Sequence, residues 1–288
     1  SQAIIDGNLD WSVEKRQMYF DNGAGDGIAY LDRYVLTRAS DNQPLGVCST
    51  DYEIDQNIDG FDWMDELLGE GATYESVMSL RKGQLVALLA HLPPQRILGD
   101  EIIPYLLISI WHDGKTASSC KLSAQRVVCM NTWRAAMAGA GASFSYRHVG
   151  DLDAKRKLAA KALGLAGTYM DTLAMTASQL ADTKVPRQTF IDIVNSIWPA
   201  AENETSRQKT TREAILAQFA EATLAEDLKP FRGTAWGIMQ AAAAFDSHVI
   251  PSRKMENWKE TRFLNLMDGK GVQDLFADAI RKTCSVSF

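Results

Sequence analysis

The chain has 288 residues, 46% of them apolar and 23% charged, with a net charge of −6. That is the balance of an ordinary globular protein, and a chain of this length buries roughly three quarters of its unfolded surface. No run reaches the roughly 18 consecutive apolar residues of a membrane span, and Ser1 to Asp6 lacks the basic and apolar regions of a signal peptide, so a cytoplasmic protein with no membrane partner is expected.

The first thirty residues read as turn-rich, with Gly23-Ala24-Gly25-Asp26-Gly27 at their centre. Their G-x-G-x-G spacing is neither a dinucleotide fingerprint nor a phosphate loop, and a flexible loop is expected. Tyr34 to Arg38 and Leu45 to Ser49 flank the turn formers Ser40 to Pro44, which predicts a β-hairpin. Asn57 to Gly69 reads as a helix, because Ile58, Phe61, Met64, Leu67 and Leu68 recur at helical spacing. Its other face carries Asp59, Asp62, Asp65 and Glu66, which repel phosphate.

Two further strand pairs follow. Ser76 to Leu80 and Gln84 to Leu92 bracket a basic tip, Arg81-Lys82-Gly83. Ile102 to Trp111 and Ser118 to Val128 bracket His112 to Lys115, where Asp113-Gly114 is a hairpin signal. The near-continuous apolar runs Leu85 to Ala90 and Ile102 to Ile110 imply burial on both faces, or a helix layer across one.

Beyond Met130 the pattern turns helical. A short helix is predicted over Met130 to Ala140, and a long one from Asp151 or Asp153 to about Ala181, with Leu158, Leu165, Tyr169, Leu173 and Leu180 on one side. Further helices are expected from Pro186 to Ile197, Thr205 to Ala225, Gly233 to His248, Trp258 to Met267 and Val272 to Lys282. The fold class is therefore α+β: a β-rich N-terminal half of antiparallel hairpins with one helix, followed by an all-helical C-terminal half. Residues 1–150 would form the β-rich core, and residues 151–288 a helical region packed on the same core.

Cys48, Cys120, Cys129 and Cys284 are scattered, as are His91, His112, His148 and His248. Neither set has metal-ligand spacing, so free thiols and no metal or other cofactor are expected. Charge is unevenly spread. Ser1 to Cys120 holds 19 acidic and 8 basic residues, a balance of −11, while Lys121 to Phe288 holds 17 acidic and 22 basic, a balance of +5. A basic half permits an anionic partner on one face, or head-to-tail contact between copies; equally, both halves are solvated surface.

Several short stretches carry a family likeness. Arg126-Val127-Val128-Cys129-Met130-Asn131-Thr132, Arg147-His148-Val149-Gly150, Glu204-Thr205-Ser206-Arg207 and Arg232 to Gly237 are its landmarks. Leu9 to Arg16, Leu45-Gly46-Val47 and Tyr52 through Asn57 to Phe61 fit the same pattern. Together they resemble the phage/plasmid-like protein family, domain of unknown function 932. Membership implies a protein carried by phages, prophages or conjugative plasmids, with dealings in foreign DNA or host defence. The order of elements is also broadly similar, at the level of fold analogy, to the RecT/Redβ single-strand annealing class.

Between Lys121 and Ala162 eight cations, Lys121, Arg126, Arg134, Arg147, Lys155, Arg156, Lys157 and Lys161, face only Asp151 and Asp153. Trp133, Phe144 and Tyr146 lie among them. Such a cluster would hold a sugar-phosphate backbone while Trp133 or Tyr146 stacks on bases. Carboxylate pairing of Arg126 and Arg134, a core Trp133 and a solvated Lys155 to Lys161 face are the structural reading of the same residues. No nucleophile elbow, metal triad or phosphate loop is present, so no enzyme is expected. The expected function is a phage- or plasmid-type protein that binds and anneals single-stranded DNA as a homo-oligomer in a bacterial cytoplasm. The alternative is a host-factor-binding or anti-defence protein without enzymatic activity.

Overall fold

The structure, a computed structural model, describes residues 2–23, 25–68, 73–126, 131–134, 143–163, 166–249, 258, 261, 264–265 and 270–286. The chain divides into two compact units. The first comprises Ser1–Pro93, Pro104–Ser123 and Ala140–Gly167, and the second Pro94–Ile103, Ala124–Gly139 and Thr168–Phe288.

After a short helix α1 (Gln2–Asp6), strands β1 (Val13–Asp21), β2 (Gly27–Arg38) and β3 (Pro44–Cys48) form an antiparallel sheet in the order β1-β2-β3. The β2–β3 hairpin is the one its turn formers predict. Strand β1 and the first half of β2 stand where a turn-rich segment was expected, while the glycine run keeps its loop: Gly23 and Gly25, at φ +80° and +90°, lie at the hairpin tip between them. These strands escape a pattern search because their outer halves are solvent-exposed on both faces, so no apolar alternation marks them. On β3, Gly46 lies so close to the Asp113 backbone that a Cβ has no space, and Gly114, at φ +80°, meets Val47 in the same way.

Helix α2 (Asn57–Leu68) precedes strands β4 (Thr73–Leu80), β5 (Leu85–His91), β6 (Gln95–Ile97), β7 (Asp100–Trp111), β8 (Ser118–Arg126), β9 (Asn131–Arg134) and β10 (Ser143–Tyr146). They build an antiparallel sheet in the order β10-β8-β7-β5-β4, with β6 on β7 and β9 on β8. Leu85, Val86, Ala87 and Leu88 are consecutive and all fully buried, so β5 is covered on both faces, and α2 packs against it. Asn131–Arg134 is strand where a helix was predicted; the other residues of that expectation, 130 and 135–140, lie outside the described residues. The single long helix is described as α3 (Leu152–Leu163), whose Ala154 N–H is capped by Asp151, and α4 (Ala166–Asp182).

The second unit continues as α5 (Arg187–Ile197), α6 (Ser206–Thr223), α7 (Ala235–His248) and α8 (Val272–Cys284). Of the helix predicted over Trp258 to Met267, only residues 258, 261, 264 and 265 are described. The centre of this unit is aromatic: Phe219 of α6 stacks on Phe276 of α8 with ring centroids 4.5 Å apart, and Trp198 meets both edge-on. Helix α7 is buried continuously from Ala235 to Ala243, as its apolar composition requires. Near its end, the Asp246 carboxylate accepts from the Val272 and Gln273 N–H groups (3.0 and 2.8 Å) and caps α8. The architecture is α+β, with antiparallel strands and a helix before residue 150 and helices after it. Among the described residues, no helix is long and apolar enough to cross a membrane.

Candidate functional site

In the first unit the segment Tyr52 to Asn57 meets the segment Tyr146 to Arg156. Tyr52 bridges to Val149, and the Glu53 N–H donates to the His148 carbonyl at 2.7 Å. The two chains thus lie side by side, which aligns three side-chain pairs. Tyr52 stacks on His148, centroids 4.7 Å apart and rings 9° from parallel. The Tyr146 hydroxyl donates to Asp55 Oδ2 at 2.5 Å, and Arg156 Nη1 donates to Asp55 Oδ1 at 2.5 Å. Asp55 is 1% exposed.

Burial pushes the Asp55 carboxyl above its usual range, while the Tyr146 hydroxyl and Arg156 guanidinium oppose that shift. Burial drives the Tyr146 phenol upward as well, reinforced by the adjacent Asp55. Arg156 reaches back to Asp153 on its own helix, so its charge is held between two carboxylates.

The network extends to β7 and β8. His148 Nε2 lies 3.0 Å from Ser118 Oγ, which accepts from the Trp111 N–H at 3.2 Å, while the Tyr52 hydroxyl donates to the Trp111 carbonyl at 3.0 Å. His112 Nε2 faces Asn57 Oδ1 at 2.9 Å. The Asn57 amide N–H groups donate to the Leu9 and Trp11 carbonyls, so Oδ1 is the acceptor and the His112 proton sits on Nε2. Burial holds His112 down at about 3 and lowers His148, so both rings are neutral at pH 7.

A serine hydroxyl against a histidine is the contact from which nucleophiles are made. Here Ser118 is fully buried and His148 is 3% exposed. A substrate carbonyl reaches this pair only if the unit opens, and in the closed unit the contact serves to join β8 to the segment after β10. Among the described residues, no group of three His, Cys, Asp or Glu side chains is placed to hold a metal ion.

The residues expected to hold nucleic acid separate into four groups. Tyr146 and Arg156 belong to the interior network, which corrects the expectation for both: Tyr146 is 5% exposed and offers no free ring face, and Arg156 is neutralised by Asp55 and Asp153. Arg147 and Lys157 are exposed at the end of β10 and on α3, and the Lys155 amine donates to the Arg147 and Val149 carbonyls beside them. Lys121, half-buried on β8, lies opposite Ser143 of β10. Arg126 ends β8, Trp133 and Arg134 stand on β9, and Lys161 is on α3; the side chains of these four lie outside the described residues.

The acidic face of α2 is partly used internally. Asp59 accepts from the Gln56 N–H, and Asp65 accepts from the Tyr74 hydroxyl at 2.7 Å. Sequence reasoning passed over Asp55, Asn57 and Ser118 as functional groups. Their signal was present for Asp55 and Asn57, which fall inside the Tyr52 to Phe61 landmark; Ser118 had none.

The motif residues therefore converge in space, Tyr52 and Asp55 beside His148 and Asn57 against His112, and these residues fall within a match to a known family that leaves the Leu9 to Arg16 landmark outside. The model of the family described as Domain of unknown function (DUF932) matches residues 44–266. The chain belongs to that family. No curated protein and no solved structure matches this DUF932 chain. The remaining landmarks also have structural roles here. Thr205 caps α6 in a reciprocal box with Gln208, and Glu204 binds Arg212 through two hydrogen bonds of 2.9 and 3.2 Å. Gly233, at φ +72°, turns the chain into Thr234, which caps α7 through the Gly237 N–H.

Proposed function

We propose that this DUF932 protein binds single-stranded DNA and promotes its annealing, as a phage- or plasmid-type protein acting in a bacterial cytoplasm as a homo-oligomer, without metal or nucleotide cofactor. One observation carries the reading. Arg147 and Lys157 present exposed cations at the corner between β10 and α3, and that corner is pinned from inside by Asp55, Tyr146 and Arg156. Cations on a fixed framework bind phosphate without first losing the freedom of a mobile segment. With Tyr146 buried, Trp133 is the aromatic residue assigned to base stacking. Binding of this kind is independent of sequence and depends steeply on salt.

Anisotropy of a labelled single-stranded oligonucleotide at two salt concentrations tests it. Affinity should fall as salt rises, and Lys157→Glu should both weaken binding and reduce the logarithmic salt slope by about one unit. Absence of binding at low salt overturns the reading and favours a host-factor-binding protein instead.

A further inference from the structure

Strand β1 stands at one end of its sheet, and one of its edges faces away from β2. Its even residues turn their peptide groups inward: Ser12 O accepts from Ala39 N, and Asn22 N donates to Asp26 O. Its odd residues turn outward. Val13 shows this, because the Gln56 side-chain amide accepts from Val13 N and donates to Val13 O, both at 2.9 Å, as a neighbouring strand would. Past Gln56, among the described residues, no backbone group pairs with the outward edge of Lys15, Gln17, Tyr19 and Asp21. Tyr19 and Phe20 on this stretch are 61% and 47% exposed. An open strand edge with exposed aromatic side chains is a template for another strand.

We propose that this edge pairs with the same edge of a second copy, antiparallel about a two-fold axis through Met18. The sequence Lys15-Arg16-Gln17-Met18-Tyr19-Phe20-Asp21 is self-complementary in that register. Lys15 stands opposite Asp21, Arg16 opposite Phe20, Gln17 opposite Tyr19, and Met18 opposite itself. The odd residues exchange the backbone hydrogen bonds, and the even ones form the closer, non-bonded pairs. Each dimer then holds two Lys15–Asp21 ion pairs and two Arg16–Phe20 cation–π contacts.

Other registers are worse. Sliding the strands two or three pairs toward their N-termini sets Arg16 or Lys15 against its own copy, and sliding one pair in either direction breaks the Lys15–Asp21 contacts. The favoured register also stops at Lys15, so Gln56 keeps its place on Val13. An isologous edge contact of this kind closes at two copies, and it does not depend on whether nucleic acid is bound.

Two measurements test it together. Met18→Cys should form an intermolecular disulfide under mild oxidation, since facing residues of a non-bonded pair lie within disulfide reach. Gln17→Cys, which faces Tyr19, should link far less, and the unsubstituted chain sets the background from its native cysteines. By light scattering the native chain should be dimeric. Lys15→Asp and Asp21→Lys should each weaken the dimer by about tenfold, and the two together should restore it. A thermal melt of each variant separates lost pairing from lost folding. A monomeric native chain, equal linking at Gln17→Cys, or charge variants without mutual rescue would overturn the proposal; the last result with a surviving dimer assigns the contact to another surface.

Discussion

The Tyr146 hydroxyl donates to Asp55 across 91 residues of sequence, in a part of the first unit where Asp55 has almost no contact with solvent. The other oxygen of the same carboxylate receives Arg156. Both acceptor atoms of a buried anion are therefore satisfied, which is the condition for tolerating such a charge in an interior.

Removing the anion should be costly. Asp55→Ala takes from the Arg156 guanidinium its buried partner and leaves it exposed Asp153 and, at 4.0 Å, Asp59, and a loss of about 3 kcal/mol is expected. Tyr146→Phe removes one hydrogen bond while keeping the ring, for about 1 to 2 kcal/mol. Urea unfolding of both variants checks the order.

Arg156 and Arg147 should behave oppositely despite standing nine residues apart. Arg156→Ala lowers stability and leaves any salt-dependent DNA affinity of the folded fraction unchanged. Arg147→Ala leaves the urea midpoint within about 0.5 kcal/mol of the native value and weakens oligonucleotide binding. Equal loss of affinity in both variants would contradict the assignment of Arg156 to the interior.

Stability should fall in acid through the two buried histidines. Their folded-state values are depressed, that of His112 from 6.5 to about 3, so the unfolded chain takes up protons first. The contribution is present above pH 6.5 and is lost as the pH falls, by about 1.4 kcal/mol per pH unit through His112 between its unfolded value and about 3, with His148 adding a loss of the same sign. Asp55 acts in the opposite sense, since its carboxyl is raised. His112→Gln, which retains a donor for Asn57, should flatten the decline between pH 6 and 4 measured by denaturant titration at each pH.

Gly46→Ala should destabilise the first unit by about 1 to 3 kcal/mol, because the added carbon meets the Asp113 backbone rather than a movable side chain. In the second unit, Asp246→Ala removes the acceptor for the first turn of α8, for about 1 kcal/mol. Hydrogen exchange at Val272 and Gln273 is the local readout in the second case.

Legibility in the sequence followed burial. The β2–β3 hairpin was visible through its turn formers, and β5, β7 and α7 because their apolar residues fall in runs or periods that burial imposes. Strand β1 was not, since the sheet exposes most of it and charge fills its positions. At the candidate site the motif landmarks pointed to the right segments but not to their roles. Tyr146 among basic residues looks like a stacking platform, and only the partner Asp55, 91 positions away, shows that its ring is interior. Thr205 and Thr234 read as motif letters and prove to be helix caps.

The distance between Asp55 and its partners bears on how the chain is made. A nascent chain that has released Tyr52 to Asn57 must wait for roughly a hundred more residues before Tyr146 and Arg156 emerge, the latter 101 positions on. Until then the carboxylate has no interior to occupy, and the strands around it carry open edges. Closure of the first unit is thus a late event in synthesis, governed by a long loop rather than by local hairpins. Fragments ending before residue 146 would expose β5 and β7 to aggregation instead of folding as a smaller version of the unit.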